Sequence, residues 1–162
     1  MRFSSILLTI SVFLFSACAS EKIFPDVFNT PKSGAFPLMQ NGTAASIWTD
    51  EKDYPVVGIC AGFLADDIER VGQVRPVLST AESLDSITGR NVVIAGTIGH
   101  SALVDSLIGT GKIDVSGIEG KWESFIVKTV SNPFPGTDKA FVIAGSDRRG
   151  TAFGLTSLCE AI

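Results

Sequence analysis

Two short apolar runs, each ending in a glycine turn, stand out in the pattern of hydrophobic and polar positions. Residues 93–97 read VIAGT, and residues 142–146 read VIAGS. Because neither run alternates with polar residues, each is typical of a strand buried on both faces of an α/β sheet. The turns that follow lie at the carboxyl ends of these strands, where such sheets usually present ligand-binding or docking loops. The pattern therefore predicts an architecture, but it does not predict a reaction.

Weaker patterns predict further elements around these two strands. The expected strands are residues 35–39, 46–49, 76–79, 91–96, 123–130 and 140–145. The expected helices are residues 55–71 with Asp53 as N-cap, residues 101–108 with Ser101 as N-cap, and a last helix that begins near Arg149. Together these elements predict one α/β domain, in which helices pack on a mixed sheet.

Two of these helices carry apolar residues at helical spacing, which predicts their buried faces. In the first helix the stripe consists of Val56, Cys60, Phe63, Leu64, Ile68 and Val71. In the last helix it consists of Phe153, Leu155, Leu158, Cys159 and Ile162. This second stripe is still repeating at the final residue, without a cap, glycine or proline. We therefore expect the sequence to be part of a longer protein.

Composition limits the range of functions. The chain has 162 residues, of which 45% are hydrophobic, and this suffices for one buried core. Its 17 acidic and 13 basic side chains give a net charge of −4. The basic residues form no patch or stripe, so nucleic-acid binding is not expected.

Residues 1–19 have the pattern of an export signal. Arg2 precedes an apolar stretch at 6–15, which is too short to span a bilayer but suits the core of a signal peptide. Residues 15–18, FSAC, approximate a bacterial lipobox, which predicts cleavage before Cys18 and acylation of that cysteine. An ordinary signal peptide ending at residues 17–19 is the alternative. In either case we expect an exported protein, and only the lipobox alternative would attach it to the membrane, through a lipid anchor at Cys18. Residues 20–34 are expected to be a linker, and residues 35–162 the folded domain.

Cys60 and Cys159 are the two cysteines of that domain. An oxidising compartment would permit a disulfide bond between them. Two separate buried thiols are the favoured alternative, because free cysteine packs as a small hydrophobe. The single histidine and the absence of a Cys-x-x-Cys pair argue against a zinc site. We expect neither a metal nor a cofactor.

Residues 99–103, GHSAL, superficially match a serine nucleophile elbow. That motif needs a second glycine where Leu103 stands, and it needs a histidine from elsewhere in the chain. The only histidine is the neighbouring His100. We therefore reject a serine hydrolase and predict that Ser101 caps a helix.

Residues 146–150, SDRRG, form the one polar cluster at an expected strand end. The guanidinium groups of Arg148 and Arg149 could hold a carboxylate of a ligand or partner, because the planar fork matches its geometry. Alternatively, Asp147 caps the helix while both arginines pair with local carboxylates or lie in solvent. The cluster taken alone favours this second interpretation.

Several motifs in order along the chain resemble the start of glycoside hydrolase family 115, the xylan α-1,2-glucuronidases. They include GTIGHS at 96–101, GKWE at 120–123 and AGSDRRGT at 144–151. Further matches are residues 36–42, 50–55, 66–71 and 111–118. The resemblance extends from Phe36 to Ile162.

The resemblance implies an N-terminal α/β domain that precedes a (β/α)₈ catalytic barrel absent from this sequence. Enzymes of the family release glucuronic acid or its 4-O-methyl ether from glucuronoxylan with inversion, which requires a carboxylic acid and a carboxylate base. In the family both groups lie in the barrel, so no catalytic residue is expected here and the fragment alone is expected to be inactive. Asp147, Arg148 and Arg149 match a family motif and are expected at the interface with the barrel or at the rim of the substrate pocket.

An autonomous carbohydrate-binding or interaction module is the alternative function. Trp48 and Trp122 could offer stacking surfaces for sugars, although core packing is the commoner environment of isolated tryptophans. Measurable binding of glucuronoxylan fragments would distinguish such a module from an enzyme fragment that binds no carbohydrate.

Overall fold

A computed structural model describes residues 26–28, 30 and 32–162. The expected export signal, Cys18 and most of the expected linker lie outside these residues. Among the residues described, no helix is both long enough and apolar enough to cross a bilayer.

The described chain alternates strands and helices. The strands are β1 (Met39–Gln40), β2 (Thr43–Ala44), β3 (Ser46–Thr49), β4 (Leu78–Thr80), β5 (Asn91–Thr97), β6 (Phe125–Ser131) and β7 (Lys139–Gly145). The α-helices are α1 (Pro55–Gly72), α2 (Ala102–Gly109) and α3 (Arg148–Ala161), and a 3₁₀ turn spans Leu84–Ser86.

Five strands form one mixed sheet in the order β4-β3-β5-β7-β6. All neighbours are parallel except β6, which runs antiparallel to β7. From β3 the chain passes through α1 to β4 on one side, whereas β5 pairs with β3 on its other side. The direction of winding thus reverses between β3 and β5. Ligands of open α/β sheets usually bind at such a reversal, outside the carboxyl ends of the strands.

The sheet is buried on both faces. Ile94 and Val142 point toward Leu107 of α2, while Val93 and Ile143 point toward the opposite face, which α1 and α3 cover. This arrangement explains why β5 and β7 read as continuous apolar runs, because each side chain of a doubly covered strand meets a helix. The prediction of an α/β domain with helices on a mixed sheet is confirmed, and the described residues contain no closed barrel.

The buried face of α1 differs from the predicted stripe. Cys60, Leu64 and Ile68 are buried as predicted, but Phe63 is 55% exposed and Val71 is 63% exposed. The helix instead buries Val57, Ala61 and Ala65 against the sheet, and Val56 is only half-buried. Small alanines let a helix lie close to a sheet, so the buried arc is centred on them rather than on the bulkiest residues. In α3, Leu155 and Leu158 are buried, while Phe153 is 42% exposed.

Element boundaries shift by a few residues from the predicted ones. The first strand is only Met39–Gln40, the strand predicted at 76–79 is Leu78–Thr80, and the strand predicted at 123–130 is Phe125–Ser131. A two-residue turn joins β1 to β2. Its residues Asn41 and Gly42 have φ angles of 51° and 73°, which are the positive values that two-residue hairpin turns require.

Candidate functional site

The candidate site lies where β3, β5 and β7 end, at the carboxyl edge of the sheet. Two turns meet there: the first turn (residues 98–101) joins β5 to α2, and the second turn (residues 146–147) joins β7 to α3. The amide of Ile98 donates to the carbonyl of Gly145 at 2.9 Å. The hydroxyls of Thr97 and Thr151 lie 2.8 Å apart and are buried. These contacts fix the two turns to one another.

The buried carboxylate of Asp53 fixes the strand end that leads into the first turn. One oxygen of its buried carboxylate accepts from the amide of Thr97 at 2.7 Å, and the other accepts from the amide of Tyr54 at 2.7 Å. Burial raises the pKa of Asp53, and the hydrogen bonds from Thr97 and Tyr54 act against that rise. The prediction that Asp53 is the N-cap of α1 is wrong. Tyr54 occupies the cap position without a side-chain cap bond, because the Asp53 carboxylate faces β5 instead.

Asp50 and Ser101 together hold the start of α2. Asp50 accepts from the amide of Ala102 at 2.7 Å, and the hydroxyl of Ser101 accepts from the amide of Val104. Ser101 is fully buried, so it caps the helix as predicted and is not exposed as a nucleophile. Nε2 of the neighbouring His100 lies 2.7 Å from the hydroxyl of Tyr54.

Asp147 organises the second turn. One carboxylate oxygen accepts from the amides of Arg149 and Gly150, which caps α3, and the other accepts from the amide of Glu123 at 2.9 Å. The hydrogen bonds from Glu123 and Gly150 lower the pKa of Asp147. Asp147 therefore joins three segments of the edge, which are the end of β7, the start of α3 and the residues that precede β6.

The two arginines of the second turn have different surroundings. The guanidinium of Arg149 forms an ion pair with the carboxylate of Glu123 at 2.7 Å. Arg148 forms no ion pair within residues 32–162, and its guanidinium lies 5.9 Å from the ring centre of Tyr54. The interpretation of a helix cap with arginines that pair locally or lie in solvent is therefore confirmed for all three residues, because Asp147 caps α3, Arg149 pairs with Glu123 and Arg148 is exposed.

Tyr54 and His100 form a pair that the sequence did not indicate. Their ring centres lie 4.3 Å apart in addition to the hydrogen bond between them. Each residue follows a strand by a few positions, and β3 and β5 are neighbours in the sheet. The sequence could have indicated this pair only through the adjacency of β3 and β5, and that adjacency is not known until the strand order is known.

The two tryptophans have opposite environments. Trp48 is 8% exposed, lies in the core and donates from Nε1 to the hydroxyl of Ser46 at 2.8 Å. Trp122 is 85% exposed and precedes Glu123, so it lies next to the second turn. We call Tyr54, His100, Trp122, Arg148 and Arg149 the carboxyl-edge surface.

The two cysteines of the domain lie outside the carboxyl-edge surface. Cys60 and Cys159 are free thiols, the first buried and the second half-buried. Burial raises the pKa of Cys159 to about 12, with a further contribution from the neighbouring Asp67 carboxylate. Within the described part of the chain, no group of three or more His, Cys, Asp or Glu side chains is placed to hold a metal ion.

Of the comparisons with known proteins, the one with solved structures is informative. No family model matches the sequence, and no curated protein matches it. Among solved structures, the chain is similar to a glycoside hydrolase family 115 4-O-methyl-α-glucuronidase with specificity for decorated arabinogalactans. The identity is 26% with a TM-score of 0.57, over 75% of this chain and 14% of that enzyme. The α/β fold described here is thus similar to one region of a much longer glycoside hydrolase.

Proposed function

We propose that this chain is the N-terminal α/β domain of an exported α-glucuronidase of glycoside hydrolase family 115, acting on glucuronoxylan. The observation that supports this most directly is the structural similarity at 26% identity, which extends over most of this chain. It agrees with the sequence motifs, several of which lie at the carboxyl edge of the sheet. That edge includes the ends of β5 and β7, where GTIGHS and AGSDRRGT begin their turns.

The carboxylates of the edge support an accessory role rather than a catalytic one. Inverting glycoside hydrolysis needs an acid and a base whose carboxyl groups are about 6.5–9.5 Å apart, with room for water between them. Asp50, Asp53 and Asp147 all accept from backbone amides, and Glu123 pairs with Arg149. Because each of these carboxylates has a structural partner, the proposal assigns the acid and the base to a catalytic barrel outside this sequence.

The carboxyl-edge surface is the face that we assign to the edge of the barrel interface or to the rim of the substrate pocket. Among the described residues the guanidinium of Arg148 forms no ion pair, and Arg149 is positioned by Glu123. In the proposal these arginines form the interface with the barrel or the rim of the substrate pocket. Alanine at both corresponding positions of a full-length homologue should lower the melting temperature of the joined domains or reduce turnover of glucuronoxylan fragments. Unchanged melting and unchanged kinetics would contradict this assignment.

A chimera tests the proposed function itself. Residues 35–162 of this chain would replace the matching region of the similar α-glucuronidase, with a deletion of that region as the control. We expect the chimera to release 4-O-methylglucuronic acid from the decorated arabinogalactans for which that enzyme is specific. The deletion variant should lose this activity. A chimera that folds but is as inactive as the deletion would overturn the proposal. The isolated chain should release no uronic acid, and release by the chain alone would equally overturn it.

Export and lipid attachment at Cys18 are part of the same proposal. Cys18→Ala should move the protein from the membrane fraction to the soluble fraction of the cell envelope. If the protein is exported but never found with membranes, an ordinary signal peptide is the correct alternative.

A further inference from the structure

Trp122 is exposed, but its backbone is firmly held. It is 85% exposed, more than any other large hydrophobic residue in the described part of the chain. The next residue, Glu123, has a φ of 53° and donates its amide to Asp147 at 2.9 Å. The hydroxyl of Ser124 donates to the carbonyl of Trp122 at 3.0 Å. A non-glycine residue in the left-handed region is uncommon, and such conformations concentrate at functional positions. The indole ring therefore projects into solvent from a fixed point.

The neighbours of Trp122 favour a carbohydrate over a protein partner. The residues before and after Trp122 are both charged: Lys121 is exposed, and Glu123 forms an ion pair with Arg149. Lysine and glutamate, the two residue types beside Trp122, are depleted in protein interfaces. A pyranose is amphipathic in a matching way. Its C–H groups pack on the negative face of an aromatic ring, while its hydroxyl groups bond to surrounding polar side chains.

Arg148 adds a site for negative charge on the same surface. Its guanidinium lies over Tyr54, whose hydroxyl is in turn bonded to His100. A guanidinium placed over an aromatic ring keeps its edge donors free for a planar carboxylate. Arg148 is adjacent to Arg149, and Arg149 contacts Glu123 next to Trp122. The Glu123–Arg149 ion pair thus links the segment that carries Trp122 to the start of the helix that carries Arg148.

We propose that Trp122 and Arg148 form a binding site for an acidic polysaccharide, in which the indole stacks on a pyranose of the chain and the guanidinium pairs with a carboxylate that the polymer carries. This binding belongs to the domain itself and needs no catalytic group. The choice of glucuronoxylan as the probe rests on the proposed function.

The test uses the isolated chain and two forms of one polymer. Binding is measured by affinity electrophoresis and titration calorimetry with glucuronoxylan and with the same glucuronoxylan after reduction of its carboxyl groups to alcohols. We expect the wild type to bind both forms, and the acidic form more tightly. Trp122→Ala should weaken binding to both forms by about tenfold or more, and Arg148→Gln should abolish only the preference for the acidic form. Added salt should reduce that preference in the wild type, because it screens the exposed charge pair.

A matched control is available in Phe63, an exposed aromatic residue on α1 that lies outside the carboxyl-edge surface. Phe63→Ala should leave binding unchanged, and all variants should melt as the wild type does. Wild-type protein that binds neither polymer, or Trp122→Ala protein that binds as tightly as the wild type, would overturn the inference. In the first case Trp122 would be assigned to contact with another protein domain. The chimera assay is independent of this result, so an active chimera with no polymer binding removes only the binding site. Binding without an active chimera removes only the proposed function.

Discussion

The first and second turns have similar sequences and opposite roles. Both follow an apolar strand that ends in Ala-Gly, and both lead into a helix. The first turn is held by hydrogen bonds to Asp50 and Asp53, which come from the segment after β3. Its helix packs on one face of the sheet. The second turn is capped from within by Asp147, its helix packs on the opposite face, and its arginines are exposed.

The difference shows that the local pattern sets the strand, the turn and the helix, whereas groups from elsewhere decide what the turn presents. Asp50 and Asp53 follow β3 and accept from the amides on either side of the first turn, those of Ala102 and Thr97. In the second turn the amides at the start of α3 are occupied by Asp147 of the turn itself, so the following side chains face solvent. The carboxyl-edge surface is therefore built mainly around the second turn.

The largest expected effect comes from Gly145, which ends β7 at the second turn. A Cβ at Gly145 would overlap the backbone nitrogen and hydroxyl of Thr151, so α3 could not keep its position. Gly145→Ala should lower the free energy of unfolding by about 3 kcal/mol or more, measured by denaturant unfolding. Gly58→Ala is the matched control, because a Cβ there meets nothing within 4 Å in the middle of α1. It should stabilise the protein by about 0.5–1 kcal/mol. A mild effect at Gly145 would mean that the turn and α3 can separate.

Substitution of Asp53, which fixes the start of the first turn, should have the second largest effect on the free energy of unfolding. Asp53→Ala leaves the buried amide of Thr97 without its acceptor, which should cost about 2 kcal/mol of unfolding free energy. Asp53→Asn tests the charge, since its shape matches the protonated acid. Because burial raises the folded pKa of Asp53 above 3.8, the part of its contribution to stability that depends on protonation is fully present below that value and is lost as pH rises through the folded pKa. The wild type should therefore gain stability relative to Asp53→Asn as the pH falls from 7 toward 4. A difference that does not vary with pH would show that Asp53 titrates normally.

Asp147 should show the opposite pH dependence. Asp147→Ala removes the cap of α3 and should cost about 1 kcal/mol near neutral pH. Since the pKa of Asp147 is lowered from 3.8, its contribution is present above 3.8 and is lost as pH falls through the folded pKa. The difference between wild type and Asp147→Ala should thus shrink in acid. Equal pH slopes for Asp53 and Asp147 would contradict the contrast between the two turns.

The sequence predicted what depends on neighbours along the chain. Both central strands, the Ser101 cap and the Asp147 cap follow from short patterns, because each involves residues a few positions apart. The contact between Asp53 and Thr97 spans 44 positions, and that between Tyr54 and His100 spans 46. Such contacts depend on the strand order, which the patterns leave open.

Helical periodicity also failed to predict the buried face of α1, where the small size of a side chain mattered more than its hydrophobicity. Phe63 follows the spacing of the predicted stripe, yet Ala61 and Ala65 lie against the sheet instead. The same limit applies to Trp122, since an isolated tryptophan is compatible with a core position or an exposed one. Its exposure results from the left-handed backbone of Glu123 and from the bond to Asp147, both of which involve the second turn.

The smallest expected effects concern the arginines, and they sharpen the distinction between structure and function in the second turn. Arg149 is 62% exposed and Glu123 is 36% exposed, so Arg149→Ala should change the free energy of unfolding by about 0.5 kcal/mol or less. Arg148→Ala should change it still less, because Arg148 has no ion pair within residues 32–162. Thermal and denaturant unfolding of both variants would check this. A loss above about 1 kcal/mol at Arg148 would show that its guanidinium supports the packing of Tyr54, and it would then be a structural residue rather than one free to meet a ligand.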